Sequence, residues 1–269
     1  MDTRPIGIFD SGIGGLTVAN AIRKRLPNES LLYFGDTAHL PYGDKSPELI
    51  RHYSANIAHF LKSKSCKAIV IACNTASSHA AQTVASVVGP DVPVINVIDP
   101  VAEAVAGTPA LKGQRIGVIA TKGTIESRVY PRRIARLAKD VKVASLATPL
   151  LAPMIEEGFF SNSISQTIIH SYLSKPVLNG ISALILGCTH YPLIRKEVNA
   201  YYKKGIVVFD STSLVAEELA HELARRNLEA GEGTPALHFM VSDKTSAFEK
   251  STRIFFKERI TLEEMNIWG

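Results

Sequence analysis

The feature that most constrains the fold is an alternation of short apolar runs with longer segments of helical spacing. Each run has the length of a strand and is almost continuously hydrophobic, as are strands buried on both faces of a parallel sheet. Strands that alternate with helices in this way indicate an α/β fold. The predicted strands are Pro5–Phe9, Ser30–Gly35, Ala68–Ala72, Val94–Val97, Arg115–Ala120, Lys142–Ala147, Ala183–Leu186 and Val207–Asp210.

Helical spacing fills the segments between these strands. The predicted helices are Gly15–Leu26, Pro47–Lys64, Ser77–Val88, Ile125–Ala138, Ser163–Leu178 and Leu193–Tyr202. After residue 210 the chain holds a predicted helix at Leu214–Asn227, a strand at Ala236–Val241 and a last helix. We expect this last part to return and pack on the first half.

The pattern starts again near the middle of the chain, which indicates an internal repeat. The segment GIFDSGIGG at Gly7–Gly15 is echoed by GVIATKGTI at Gly117–Ile125. In the same way, IVIACNTAS at Ile69–Ser77 is echoed by ALILGCTHY at Ala183–Tyr191. Each half therefore carries one cysteine at a similar distance from a similar opening strand.

The repeat predicts two similar parallel-sheet α/β domains related by pseudosymmetry, with an active site in the cleft between them. A chain of 269 residues, 46% of them hydrophobic, is long enough for two modest cores. The segment 99–113 is rich in Ala, Pro and Gly and marks an exposed connection. We place residues 1–98 plus 210–269 in the first domain and residues 99–209 in the second.

Charge and cysteine content exclude several classes of protein. The net charge of +5 comes from basic residues scattered in pairs, so nucleic-acid binding is not expected. The three cysteines include no CxxC pair, so we expect no disulfide framework and no metal site. The chain shows neither a leader segment nor an apolar run of membrane-spanning length, so we expect a cytoplasmic protein without a membrane partner.

Residues with reactive side chains follow four of the predicted strands. Ligands of parallel α/β folds bind at the carboxyl ends of strands. Cys73 and Cys188 each lie just past such an end, as do Asp10 with Ser11 and, in the second half, Thr121. A single cysteine at this place is usually a small buried hydrophobe, but the matched pair favours a functional role.

Two opposed thiols without a cofactor are suited to racemisation or epimerisation, which needs a base on one face of a carbon and an acid on the other. Polar residues and a predicted helix start follow each cysteine, and helix amides or a nearby histidine lower the pKa of a thiol. We expect Asp10 to assist Cys73, and His190 or Glu156 to assist Cys188.

The glycines that follow the first strand do not form a nucleotide-binding motif. A GxGxxG fingerprint would need glycine where Thr17 stands. What remains is a tight turn into a helix N-terminus, which can bind a carboxylate. The loop His39–Gly43 follows the second strand and reads as a rigid turn on the same rim.

Taken together, these segments resemble the glutamate racemases of the aspartate/glutamate racemase family. The resemblance rests on FDSGIGGLTV, YFGDTAHLPYG, ACNTAS, VIDP, GVIATKGTI, GCTHYPLI and FMVSD, which are spread over nearly the whole chain. It implies a cofactor-independent, two-thiol interconversion of L- and D-glutamate that supplies D-glutamate for peptidoglycan. It also allows a homodimer and a cell-wall precursor as an activator.

The resemblance also implies roles for individual residues. Cys73 would face D-glutamate and Cys188 would face L-glutamate, and Glu156 is preferred over Glu157 as the assisting acid. The implied catalytic residues are Cys73, Cys188, Asp10, Glu156 and His190. The implied substrate-binding residues are Asp10, Ser11, Pro41, Tyr42, Gly43, Asn74, Thr75, Thr121, Thr189 and His190.

Three alternatives remain open from the sequence. The same chemistry could act on aspartate or another acidic amino acid. The chain could instead be a non-enzymatic binding or regulatory protein that uses its basic surface. In a third alternative, Cys73 and Cys188 would form a regulatory disulfide.

Overall fold

In the computed structural model, which describes residues 2–268, the strands form two sheets in which every pairing is parallel. The strands are β1 (Ile6–Asp10), β2 (Leu31–Gly35), β3 (Ala68–Ile71), β4 (Val94–Asn96), β5 (Arg115–Ala120), β6 (Lys142–Ala147), β7 (Ala183–Gly187), β8 (Val207–Phe209), β9 (Leu237–Val241) and β10 (Leu262–Glu264).

Helices connect the strands and cover the sheets. They are α1 (Leu16–Arg25), α2 (Pro47–Ser63), α3 (Asn74–Val88), α4 (Asp99–Ala106), α5 (Lys122–Glu126), α6 (Val129–Leu137), α7 (Leu151–Glu156), α8 (Ser163–Leu173), α9 (Arg195–Tyr201), α10 (Thr212–Arg226) and α11 (Ser246–Phe256). Among the described residues, no helix combines the length and the apolar character needed to cross a membrane.

The two sheets share one topology. The first has the order β10-β9-β2-β1-β3-β4 and the second has the order β6-β5-β7-β8. Within the first sheet, the unit β2-β1-β3-β4 matches the whole second sheet strand for strand, so β1 corresponds to β5 and β3 to β7. The prediction of two similar parallel-sheet domains is confirmed. The exact boundaries, 1–98 plus 210–269 and 99–209, stay a prediction, and β9 pairs with β2 of the first sheet.

The prediction of an exposed connection at residues 99–113 is wrong for its first half. This part forms α4, where Pro100, Val101, Ala102 and Val105 are buried. The helix forms because its apolar face packs against α6 and α10, which sequence composition does not show. The other side of α4 remains polar, and Asp99 pairs with the Arg133 guanidinium at 2.7 Å.

Several predicted helices differ from the observed ones at positions with a clear local cause. The helix predicted at Ile125–Ala138 is two helices, because Arg128 between them adopts a left-handed conformation with φ 54°. The helix predicted from Ser77 begins three residues earlier, where the Cys73 sulfur accepts the amide hydrogen of Ala76 as an N-cap. The short elements α7 and β10 were not predicted at all.

A buried ion pair holds together the edge of the first sheet at which its strands begin. The Lys67 ammonium lies 2.6 Å from a Glu29 carboxylate oxygen, and both side chains are almost inaccessible to solvent. Lys67 also donates to the carbonyls of Asp2 and Leu228, while Glu29 accepts the amide hydrogen of Ala230. One side chain thus connects the start of the chain, the start of β3 and the end of α10.

We expect Lys67→Met to lower the free energy of unfolding by about 3–5 kcal/mol, because it leaves a carboxylate buried without a counter-charge. Urea denaturation followed by circular dichroism measures this change. The exposed Lys139 is the matched control, and Lys139→Met should stay within about 0.5 kcal/mol of the wild type. A loss in Lys67→Met no larger than that of the control would contradict the prediction.

Candidate active site

The reactive residues predicted from the sequence converge where the carboxyl ends of the central strands of both sheets face each other. Asp10 ends β1, Cys73 follows β3, Thr121 follows β5 and Cys188 follows β7. Cys73 and Cys188 are 5% and 6% exposed, so both thiols are buried where the two domains face each other.

Cys73 is held at the start of α3 by two polar contacts. Its sulfur accepts the Ala76 amide hydrogen at 3.4 Å, and its thiol donates to the Ser11 hydroxyl at 3.6 Å. Burial raises the pKa of Cys73 to about 12, and the charges of Asp10 and, less strongly, Cys188 add to this rise. The Ala76 amide does lower this pKa, as expected for a helix amide, but burial and Asp10 outweigh it, so the pKa of Cys73 rises overall instead of falling.

Cys188 lies beside a histidine that a carboxylate orients. The Cys188 sulfur is 3.5 Å from Nδ1 of His190, and Nε2 of the same ring is 2.8 Å from Glu156. Burial alone would lower the pKa of His190, but Cys188 and Glu156 outweigh it and hold this pKa well above its usual value. The structure brings Glu156 to His190, as preferred from the sequence, and leaves Glu157 exposed.

Asp10 orders the glycine turn with one oxygen and keeps the other free. Its Oδ2 accepts the amide hydrogens of Gly12 and Gly15 at 3.1 and 3.0 Å. Its Oδ1 is buried and has no hydrogen-bond partner among residues 2–268. Burial raises the pKa of Asp10, although the His190 charge and the backbone amides act against the rise. Asp10 therefore orders the turn and also lies close enough to Cys73 for its charge to raise the pKa of that thiol.

Threonine hydroxyls join the two domains on both sides of the cleft. The Thr75 and Thr121 hydroxyl oxygens are 2.9 Å apart, and the Thr17 hydroxyl donates to the Thr189 carbonyl at 2.9 Å. Gly43 packs closely against the second domain, since a β-carbon there would lie 3.0 Å from the Thr121 side chain. The implied substrate-binding residues Gly43, Thr75, Thr121 and Thr189 are thus all at the domain interface.

The implied substrate-binding residues Pro41 and Tyr42, in the loop after β2, differ in their exposure to solvent. Pro41 is exposed, whereas Tyr42 is buried and its hydroxyl donates to Asp36 at 2.6 Å. The Asp36 carboxylate also accepts from the Ser242 hydroxyl and contacts His39. The sequence reasoning missed Asp36, although an acidic residue directly after a buried strand is the same signal that marked Asp10.

The N-terminus of α3 is the part of this cleft that can receive an anionic ligand. No group of three or more His, Cys, Asp and Glu side chains that could hold a metal ion occurs in the part of the chain that the structure describes. The N-terminus of α3 has backbone amides without intrahelical acceptors, and it begins directly after Cys73. This end of the helix can hold a carboxylate.

Comparison with known proteins shows which family this chain belongs to. The model of the Asp/Glu/Hydantoin racemase family matches residues 16–219, which is more than half of the chain. The chain belongs to this family. It is therefore a racemase and thus an isomerase, and the resemblance seen in the sequence is confirmed.

Individual relatives are similar over almost their entire length. The glutamate racemase of Geobacter metallireducens is 40% identical over 253 residues, which cover 92% of this chain and 91% of the relative. The crystal structure of the Francisella tularensis glutamate racemase in complex with D-glutamate has a TM-score of 0.93 at 36% identity, covering 100% of this chain and 99% of that one. The Escherichia coli glutamate racemase, solved with L-glutamate and the activator UDP-MurNAc-ala, has a TM-score of 0.79 at 25% identity, with 99% and 100% covered.

The first prediction from this site concerns the packing of the glycine turn. A β-carbon on Gly14 would lie 2.3 Å from the His190 ring, so Gly14→Ala must displace this ring or separate the domains. We expect a loss of about 1–3 kcal/mol in the free energy of unfolding, measured by urea denaturation. Gly12→Ala is the matched control and should lose less, since its added carbon meets only Leu40 at 3.5 Å. Equal losses in the two variants would refute the packing argument.

The second prediction concerns the charge of His190. Because Glu156 helps to raise the pKa of His190, Glu156→Gln should lower it, and the imidazolium should then lose its proton at a lower pH than in the wild type. Nuclear magnetic resonance titration of the histidine ring protons measures this shift. Glu157→Gln serves as the control and should leave the titration of His190 in place. A titration that does not move in Glu156→Gln would show that the contact has no electrostatic effect.

Proposed function

We propose that this protein interconverts L- and D-glutamate by proton transfer at Cα, with Cys73 and Cys188 as the two acid/base groups. The observation that carries the proposal is the matched position of the two thiols. Cys73 follows β3 and Cys188 follows β7, which are equivalent strands of the two sheets, and both thiols are buried where the domains face each other. The similarity to glutamate racemases over nearly the whole chain supports glutamate as the substrate.

In the proposed reaction, the two cysteine sulfurs are the only groups of the protein that gain or lose a proton. Starting from L-glutamate, the Cys188 thiolate takes the Cα proton, and the Cys73 thiol gives its proton to the opposite face of the carbon. The product is D-glutamate, with Cys188 protonated and Cys73 ionised. No electrons leave or enter the substrate, and the reverse reaction uses the same groups in exchanged roles.

The electrostatics around the two thiols support this starting state. The high pKa of Cys73 keeps its thiol protonated near neutral pH, as a proton donor must be. On the other side, the raised pKa of His190 lets its ring carry a positive charge 3.5 Å from the Cys188 sulfur. His190 is thus assigned to stabilise the base, Glu156 to orient His190, and Asp10 to act next to Cys73.

The substrate carboxylates would be held by polar groups around the cleft. The start of α3 offers amides and the Asn74 side chain, and the domain interface offers the hydroxyls of Thr75 and Thr121. We assign Ser11, Thr189 and His190 to the same pocket. Pro41 and Tyr42 would shape it through the backbone, since Pro41 is exposed and the Tyr42 hydroxyl binds Asp36.

Cellular role and partners follow from the same proposal. D-Glutamate is a building block of peptidoglycan, so the protein would supply cell-wall synthesis from the cytoplasm. The E. coli relative was solved with the activator UDP-MurNAc-ala, which makes a cell-wall precursor a candidate activator. A homodimer is part of this proposal as well. Glutamate turnover measured with and without the precursor tests the activator.

We expect Cys73→Ala and Cys188→Ala each to reduce racemisation of glutamate by about a hundredfold to ten-thousandfold, because each removes one of the two acid/base groups. In heavy water the wild type should place deuterium at Cα while it forms the opposite enantiomer. Each variant should exchange one enantiomer only, with L-glutamate exchanged by Cys73→Ala and D-glutamate by Cys188→Ala.

Cys66 provides the matched control, since it is also a buried thiol but lies before β3 and contacts Gly7 at the other end of the sheet. Cys66→Ala should keep racemising glutamate. Full racemisation by either of the other two variants would refute the two-thiol mechanism. Faster turnover of aspartate than of glutamate by the wild type would refute the proposed substrate.

A further inference from the structure

Tyr130 belongs to the second domain, but its hydroxyl group binds a residue of the first domain. The tyrosine lies in α6 and is 2% exposed. Its hydroxyl donates to Oδ1 of Asn74 at 2.8 Å. Asn74 is the first residue of α3, directly after Cys73, and is 3% exposed. The oxygen of this side-chain amide is therefore engaged from across the domain interface.

The nitrogen of the same amide is a buried donor in need of an acceptor. Nδ2 of Asn74 is inaccessible to solvent and has no hydrogen-bond partner among residues 2–268. A buried donor without an acceptor destabilises a protein, and such groups are rare enough to require an explanation. Because Asn74 follows Cys73, a ligand seated at this thiol is within reach of the amide and could supply the acceptor.

We propose that Tyr130 is a positioning residue that fixes the orientation of the Asn74 amide, so that Nδ2 rather than Oδ1 is offered to a substrate carboxylate. The inference deepens the proposed function and rests on it. With the opposite orientation, the amide oxygen would face the carboxylate and repel it. The two orientations of the Asn74 amide have almost the same shape, so packing cannot favour one of them and a hydrogen bond must do so.

The Tyr130 hydroxyl can select one orientation of the Asn74 amide because it remains protonated. Burial raises the pKa of Tyr130 above its usual value, and the charges of Cys188 and Asp99 add to the rise. A hydroxyl that stays protonated in a buried place needs an acceptor. If the amide of Asn74 turned over, its NH₂ group could donate to the Tyr130 oxygen, but the Tyr130 hydroxyl hydrogen would lose the acceptor that it has now.

Tyr130 also connects the strand ends that carry the two thiols. A β-carbon added to Gly187 would lie 3.3 Å from the Tyr130 ring, so the ring packs directly against the residue that precedes Cys188. The hydroxyl at the other end of the ring holds the residue that follows Cys73. The Asn74 amide is thus oriented only while the two domains face each other as described.

Tyr130→Phe tests the inference because it removes one oxygen atom and keeps the ring. We expect the KM for glutamate and its calorimetric Kd to rise about fivefold, the effect of one neutral hydrogen bond, with a smaller change in kcat. Tyr172→Phe is the matched control, since its hydroxyl accepts from the amide of the exposed Leu150 at 3.3 Å. This control should keep the KM and Kd of the wild type.

A double-mutant cycle separates positioning from a general structural role. Asn74→Ala should weaken glutamate binding by itself, and adding Tyr130→Phe should then have no further effect, because there is no amide left to orient. An unchanged KM and Kd in Tyr130→Phe would overturn the inference. Losses that multiply in the double variant would overturn it as well.

Two further measurements keep the inference testable if Tyr130→Phe fails to fold or if the protein does not racemise glutamate. Asn74→Asp keeps an acceptor for Tyr130 but removes the Nδ2 donor and buries a negative charge, so it should lose both thermal stability and glutamate affinity. Wild-type affinity in this variant would contradict the inference even if Tyr130→Phe failed to fold. Calorimetry does not depend on turnover, so a wild type that bound glutamate without racemising it would refute the proposed reaction and still allow this test.

Discussion

Gly14 and the His190 ring meet where the two domains face each other, with no room for a β-carbon between them. The contact joins the glycine turn after β1 to the segment after β7, and each of these carries groups of the proposed site. Asp10 orders the turn through two amides, and Glu156 orients the ring from behind. The atoms that set this close approach of the domains are therefore also atoms of the proposed site, so a change in their packing would change that site as well.

The backbone of this protein is nearly symmetric, but the electrostatics of its two halves are not. Each half has a thiol after its third strand, yet a buried carboxylate lies near Cys73 and an imidazole lies beside Cys188. A pair of thiols that exchange one proton cannot have the same resting state, because one must hold the proton while the other lacks it. The proposed two-thiol reaction needs such an inequality, and the neighbours of the two sulfurs already differ in the protein without substrate.

The sequence predicted those parts of the site that depend on local order. The alternation of strands and helices fixed where each strand would end, and so Cys73, Cys188, Asp10 and Thr121 could be placed at one rim. His190 could be associated with Cys188 because it is only two residues away.

Features that arise only from packing could not be predicted in this way. Tyr130 lies in a helix with no motif, and its contact with Asn74 exists only because the second domain faces the first. The pKa of Cys73 was expected to fall because helix amides were visible in the pattern, whereas desolvation depends on everything that surrounds the sulfur. The helix α4 was missed for the same reason, since its composition is that of a loop and its burial comes from α6 and α10.

The chain passes between the sheets twice, after β4 through α4 and after β8 into α10, and these two helices pack against each other. The whole second sheet is thus inserted in the chain between β4 and β9 of the first, with its entry and its exit side by side. The contact between α4 and α10 closes the base of this insertion, and it helps to set how the strand ends that carry the two thiols face each other.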